Sequence, residues 1–189
     1  MRTFIALEPS KELRAGLTAL CRSLTPLFPR VRWSRPENIH LTLRFLGEID
    51  PGSDLEHLKA SVAEVAAGSV PPVLTVDRAG WFGSPRQPRV VWLGLRESPE
   101  LGGLAASLED ALKAAGFGAA DKPFKAHLTL ARLKDSLPKP LDREALERAS
   151  SAQWPLWTPR EVLIIKSTLR PEGPLYETLA ALPLGGAGK

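Results

Sequence analysis

The amino-acid sequence predicts an α+β fold: two pseudo-symmetric lobes of mostly antiparallel sheet, with outer helices, around a central cleft. Three observations carry this. Hydrophobic patterning gives the order strand, helix, strand, strand, helix, and a similar set comes after it. The tetrapeptide His-Leu-Thr-Leu occurs at His40–Leu43 and again at His127–Leu130, 87 positions on, close to half of the 189 residues. No long polar linker parts the halves, so they are expected to pack compactly as one domain over residues 1–189.

Each element follows from local signals. Thr3–Leu7 reads as a buried strand stopped by Pro9 and Ser10. Ser10 caps an amphipathic helix over Lys11–Leu24, with Leu13, Leu17 and Leu20 on one face and Pro26 and Pro29 ending it. Val31–Ser34 reads as a short strand, and Arg35-Pro36-Glu37-Asn38 as a turn into the first motif strand, Ile39–Ile49. Asp50-Pro51-Gly52-Ser53 is a turn signal, with Ser53 or Asp54 capping a helix to about Ala67 that Pro71-Pro72 breaks. Val73–Ala79 and Arg89–Leu95 read as strands joined by a loop that carries Trp81, Phe82, Arg86 and Arg89. Ser98-Pro99 starts a helix with proline at its first position, which runs to Ala115 before Gly116 and Gly118. The second motif strand spans Phe124–Leu133, and a short helix Asp142–Ala149 comes next. Val162–Thr168 and Tyr176–Leu182 form a last pair about the turn Arg170-Pro171-Glu172-Gly173.

Composition narrows the function classes. Hydrophobic residues make up 43%, enough for a core, and the formal charge is +4, mildly basic and compatible with a polyanionic ligand. The one cysteine, Cys21, excludes an internal disulfide and reads as a small buried apolar residue. The run MRTFIALEPS leads directly into a strand without an apolar signal segment, and no apolar stretch approaches the ~20 residues of a membrane span. A cytoplasmic protein is expected.

The repeated tetrapeptide holds two of the three histidines. Strand side chains alternate, so Leu41 and Leu43 share one face while His40 and Thr42 share the other; His127 and Thr129 repeat this. An imidazole titrates near pH ~6.5, so at neutral pH one can accept a proton while its partner donates one. Hydroxyls suit phosphoryl oxygens, and the combination fits in-line displacement at a phosphodiester. From spacing alone the donor and acceptor roles are interchangeable. Arg132 lies five residues after His127, and on an ideal strand it points to the opposite face. It reaches a bound phosphate only with a bulge, a twist or a strand end. A metal centre lacks ligands: there is no His-x-His or partner cysteine, and Glu37 and Glu48 are out of register.

WSRPENIHLTLRFLGEI and PFKAHLTLARLK resemble the two signature segments of the two-histidine (2H) phosphoesterases. FIALEPS, FGSPRQPRVVWLGL and STLRPEGPLYETLA narrow the resemblance to the RNA 2′,3′-cyclic phosphodiesterases, the ThpR/LigT group also called 2′-5′ RNA ligases. The resemblance spans nearly the whole chain in the family's order. It implies that His40 gives a proton to the departing O3′ and that His127 accepts one from water. Thr42 and Thr129 would contact the phosphate, and Arg132 would stand near it. The implied product is a 2′-phosphomonoester, with no metal and no organic cofactor. The implied partner is an RNA with a 2′,3′-cyclic phosphate end or a cyclic nucleotide, met by a monomer away from any membrane. The same residues would serve the reverse reaction, joining ends through a 2′-5′ linkage. A nucleotide-binding module without turnover is a third reading, which needs no paired acid and base. Two departures stand out. Ala126 precedes the second histidine where many relatives carry proline. Thr3-Phe4-Ile5 stands where relatives often have consecutive aromatics, leaving Phe4 as the candidate base contact.

Other residues read as structural. Trp33, Trp92, Trp154 and Trp157 are expected to pack the core or the lobes, and His57 to lie solvated on its helix. The loop Trp81–Arg89 combines aromatics with arginines, so it fits a single-stranded RNA grip as well as a solvated hairpin. Gly185-Gly186-Ala187-Gly188-Lys189 has no helix after it for a phosphate loop, and Gly116-Phe117-Gly118 succeeds a helix rather than a strand, which excludes a dinucleotide fingerprint. No Gly-x-Ser-x-Gly is present for a serine hydrolase.

Overall fold

A computed structural model describes residues 1–171 and 173–185. Glu172 of the last expected turn, and the glycine-rich run beyond Gly185, lie outside the described residues. In chain order the elements are β1 (Arg2–Leu7), α1 (Lys11–Leu27), a 3₁₀ turn (Pro36–Asn38), β2 (Leu41–Glu48), α2 (Ser53–Gly68), β3 (Val76–Gly83), β4 (Pro88–Leu95), α3 (Pro99–Ala114), β5 (His127–Arg132), α4 (Arg143–Ser150), β6 (Glu161–Arg170) and β7 (Gly173–Pro183). Ser10, Ser98 and Asp142 cap α1, α3 and α4 through their side chains.

The seven strands form one sheet in the order β3-β4-β5-β2-β1-β6-β7, antiparallel at every pairing. The two expected lobes are its two ends, and they meet between β2 and β5 at the single registered pair Leu41–Leu128. Topology interlocks them. β4, which closes the first half, pairs with β5 of the second; β6 of the second half pairs with β1 of the first. Each lobe is thus completed by a strand from the other half.

All four helices cover one face of this sheet. Leu13, Leu17, Leu58, Val62, Leu104, Leu108 and Leu146 from the helices join Ile5, Leu41, Leu43, Val91, Leu93, Leu128 and Leu130 from the strands in one buried cluster. The opposite face carries a small separate cluster of Phe4, Ala6, Leu163 and Ile165, with Tyr176 packed on it. Polar residues of β2 and β5 can therefore reach solvent only on the helix-free face.

Several elements differ from expectation for physical reasons. Pro26 sits inside the last turn of α1, whose chain continues to Leu27. Val31–Ser34 is no strand: Trp33 makes an isolated bridge to Ala131, and the Ser34 N–H donates to Leu130 O. Ser53 is helical rather than a cap, and Asp54 instead accepts from the Asp50 N–H. Trp81 and Phe82 belong to β3 rather than to a loop, because Gly80 admits the Trp92 ring of β4 against the strand. A Cβ at residue 80 would meet that ring at 2.7 Å. The segment Trp81–Arg89, which fitted an RNA grip as well as a solvated hairpin, is consequently divided: Trp81 holds the Arg143 guanidinium at 4.5 Å, while Phe82 touches His127.

Candidate active site

His40 is set by the residues before it. Pro36 fixes the start of the 3₁₀ turn, and the Ile39 N–H returns to Pro36 O, so β2 begins at Leu41 rather than at Ile39. Arg14 of α1 donates to Pro36 O at 3.0 Å and pairs with Glu8. On the other side Asn38 Nδ2 donates to Pro174 O at 3.1 Å. The turn that presents His40 is thus braced by α1 and β7. His127 opens β5, where its Nδ1 lies 2.7 Å from Lys125 O. A carbonyl only accepts, so Nδ1 carries the hydrogen and, in the neutral ring, Nε2 keeps its lone pair.

The antiparallel register through Leu41–Leu128 sets Thr42 beside His127 and His40 beside Thr129 at the seam. Leu41, Leu43, Leu128 and Leu130 are buried on the helix side, as the alternation predicts. The continuation past each tetrapeptide is not simple alternation. Ala6 pairs with Thr42 but Ile5 pairs with Arg44, so Leu43 is an extra residue. Trp92 pairs with Thr129 but Val91 pairs with Ala131, so Leu130 is extra in the same way. Two bulges at equivalent motif positions shift the parity of the strand residues beyond them.

The shift has opposite chemical results in the two strands. Arg44 turns into the helix layer, where Nη2 donates to Gly118 O at 2.9 Å and Nε lies 3.3 Å from the Glu109 carboxylate. Its counterpart Ala131 is fully buried. Phe45 and Arg132, the next residues, emerge on the site face. Arg132 therefore shares a face with His127 and Thr129, through a bulge of the kind that its spacing demanded.

The imidazoles have unlike surroundings. His40 stacks on Phe4 at 4.7 Å and 22°, with the Tyr176 ring edge-on at 5.1 Å. Burial, reinforced by the positive charge of Arg132, pushes its pKa down to about 4, against a backbone hydrogen bond to Asn38 that favours the charged form. His127 meets Phe82 edge-on at 5.4 Å. Its pKa is also lowered, first by burial and less by Arg132 and Lys125, while its bond to Lys125 O opposes the shift. At neutral pH and with nothing bound, His40 is neutral.

Phe4, the expected base contact, is only 2% exposed and offers its ring to His40, Phe45 and Tyr176. It leaves no open face for a nucleobase and acts as the floor beneath His40. Trp92 lies on the site side over Gly80 and Gly94 rather than in the helix-side core, where Trp157 is buried. His57 is exposed on α2. Tyr176 was missed in the sequence because it comes from β7, far in sequence from either motif, and its one visible signal was its place in the STLRPEGPLYETLA run; Phe82 was singled out only as part of a loop, not as a neighbour of His127. Among the described residues, no three His, Cys, Asp or Glu side chains gather as a cation site, and no helix is long and apolar enough to cross a membrane.

The chain is similar to known proteins over nearly its whole length. A family model described as LigT like Phosphoesterase matches residues 7–92 and again 93–176, one match in each half. An RNA 2′,3′-cyclic phosphodiesterase of Archaeoglobus fulgidus is 35% identical over 95% of this chain and 98% of its own length. The crystal structure of TT0787 from Thermus thermophilus superposes with a TM-score of 0.81 at 28% identity, covering all of both chains. The structure of E. coli LigT complexed with 3′-AMP gives a TM-score of 0.69 at 26% identity over 97% of this chain and 96% of that one.

Proposed function

The chain belongs to the LigT-like phosphoesterase family, and from that premise we propose that it hydrolyses RNA 2′,3′-cyclic phosphate ends to 2′-phosphomonoesters with His40 and His127 as acid and base. The observation that carries this is the convergence of both His/Thr pairs and Arg132 on one helix-free sheet face. The cyclic phosphate sits across the seam, its free oxygens taking the Thr42 and Thr129 hydroxyls. Arg132 balances the charge that grows on phosphorus-bound oxygen in the transition state. His127, with Nδ1–H committed to Lys125 O, presents the Nε2 lone pair to water and takes its proton. That water attacks phosphorus, the P–O3′ bond breaks, and His40 protonates O3′.

His40 cannot donate while neutral. The arriving phosphate anion offsets Arg132, the second-largest cause of its low pKa, and so favours protonation of His40 in the complex. Substrate binding and loading of the acid are coupled in this reading. The protein works as one two-lobed domain, because each lobe borrows a strand from the other half. Both motifs come from one chain, which suits a monomer, and a buried lone Cys21 suits the reducing cytoplasm.

The test is the product formed from an oligoribonucleotide with a 2′,3′-cyclic phosphate end. We expect a 2′-phosphate, with turnover falling by about 10² to 10⁴ in His40→Ala and in His127→Ala. Wild-type turnover in both variants would refute the acid–base reading, and a 3′-phosphate product would reverse the leaving oxygen.

A further inference from the structure

We propose that Arg44 is a positioning residue for His127: from the helix side of the sheet it ties β2 to the loop that enters β5, and so holds the Lys125 carbonyl against the imidazole. This rests on the hydrolase reading above and deepens it.

The seam is fastened unevenly. Leu41–Leu128 is the one registered pair between β2 and β5. Toward Arg132 the backbone continues the join, because Trp33 bridges Ala131 and the Ser34 N–H donates to Leu130 O. Toward His127 the strands part. Continuing the antiparallel register would set Arg44 opposite Lys125, but β5 begins only at His127, and Ala126 O is taken by the Leu95 N–H of β4.

On this side a side chain makes the join. Arg44 is 7% exposed, and its Nη2 donates to Gly118 O at 2.9 Å. Its Nε lies 3.3 Å from Glu109 Oε2, a charge contact rather than an aligned hydrogen bond. The other oxygen of that carboxylate accepts from the Ala120 N–H at 2.9 Å. The Ala120 N–H, opposed by burial and aided by Arg44 and Lys113, keeps the Glu109 carboxyl below the ordinary carboxylate range, so the pair is charged at neutral pH. One guanidinium and one carboxylate thus grip the loop between α3 and β5 at Gly118 and Ala120.

From there to Ala126 the chain has no helix or strand, with Phe124 packed on the core. Lys125 O lies at the end of this stretch. It takes the Nδ1–H of His127 at 2.7 Å and so decides which ring nitrogen is left to face water. A buried ion pair adds little stability over apolar packing of the same volume, so its value here lies in the geometry it fixes. Ala131, the counterpart of Arg44 on β5, has no such reach, and the strut serves one histidine only.

Arg44→Met, Arg44→Lys and Glu109→Gln test this by two readouts. The first is steady-state kinetics on an oligoribonucleotide with a 2′,3′-cyclic phosphate end. The second is the nitrogen NMR spectrum of the histidine rings at neutral pH, which reports the tautomer and needs no turnover. Arg44→Met should lower kcat by about 10- to 100-fold with KM nearly kept, and should move His127 from the Nδ1–H form toward a mixture of tautomers while His40 stays as in wild type. Arg44→Lys keeps the charge without the planar fork and should fall between. Glu109→Gln keeps an acceptor for the Ala120 N–H and should act in the same direction as Arg44→Met, more weakly. An unchanged kcat or an unchanged His127 tautomer in folded Arg44→Met overturns the proposal. So does an equal disturbance of His40, which would mean that the pair only stiffens the fold. If Arg44→Met does not fold, the other two variants decide by the same criteria; if none folds, the proposal falls. If wild type turned over nothing, the hydrolase reading would fail separately, and the His127 ring alone would decide Arg44.

Discussion

Arg132 shares the site face with His127 because β5 carries one extra residue, Leu130, between them. Without that bulge the five-residue spacing would aim the guanidinium into the helix layer. There Ala131 now fills the position that Arg44 occupies in β2. The positive charge lowers the pKa of both histidines, a cost in the empty site that a bound anion offsets. Replacing Arg132 by alanine should lower kcat/KM by about 10²- to 10³-fold. It should also raise the pKa of both imidazoles, measurable by NMR titration of the ring protons.

The pH dependence of kcat/KM follows from the free protein. His40 titrates at about 4 and His127 below the ordinary imidazole range. As pH rises through these values the proton donor is lost, so kcat/KM should peak on the acidic side of pH ~6.5 and fall above it. The alkaline limb of kcat, which reports the complex, should lie higher, because the bound phosphate favours the protonated form. Coincident limbs in the two profiles would speak against coupled protonation.

Stability should fall in acid through the same residue. His40 has a pKa of about 4 folded and ~6.5 unfolded, so between these values the unfolded chain binds more protons. Its contribution is fully present above ~6.5 and is lost as pH drops toward 4, by up to about 3 kcal/mol. Urea titrations at pH 7.5 and 4.5 should show the difference, and His40→Gln should reduce it.

Removing either threonine hydroxyl should weaken catalysis without touching the fold. Thr42→Val and Thr129→Val keep the β-branched shape at half-buried strand positions. Each should lower kcat/KM by about 10- to 100-fold, the range for a hydrogen bond to a charged group. Circular dichroism and melting temperature should stay close to wild type.

Gly80→Ala tests the packing behind His127. The added Cβ would come within 2.7 Å of the Trp92 ring, which also lies against Gly94 and Phe82. The variant should lose about 1–3 kcal/mol of stability by denaturant unfolding. Phe82 bears on both Trp92 and His127, so activity should fall as well.

Much of the fold was legible because its signals are local. Ser10, Ser98 and Asp142 cap their helices through their side chains, and the two tetrapeptides present leucines inward and His/Thr outward. The features that were not legible depended on partners. Trp81 and Phe82 read as loop because the glycine that admits Trp92 looks like a strand breaker until its neighbour is known. Val31–Ser34 has strand composition but finds only one bridge partner. Tyr176 reaches His40 only because β7 folds beside β6, across the chain from both motifs.

The sequence by itself determined the candidate site groups: two imidazoles and two hydroxyls, paired by a period of two that any strand must obey. Tertiary structure decided their direction and their electrostatics. Cross-strand register, a property of two chain segments at once, placed the bulges at Leu43 and Leu130, and thereby turned Phe45 and Arg132 toward the site and Arg44 away from it. Packing of β1 and β7 around His40 then made two identical tetrapeptides unequal, burying one imidazole against Phe4 and Tyr176 while the other rests on Phe82 and a backbone carbonyl.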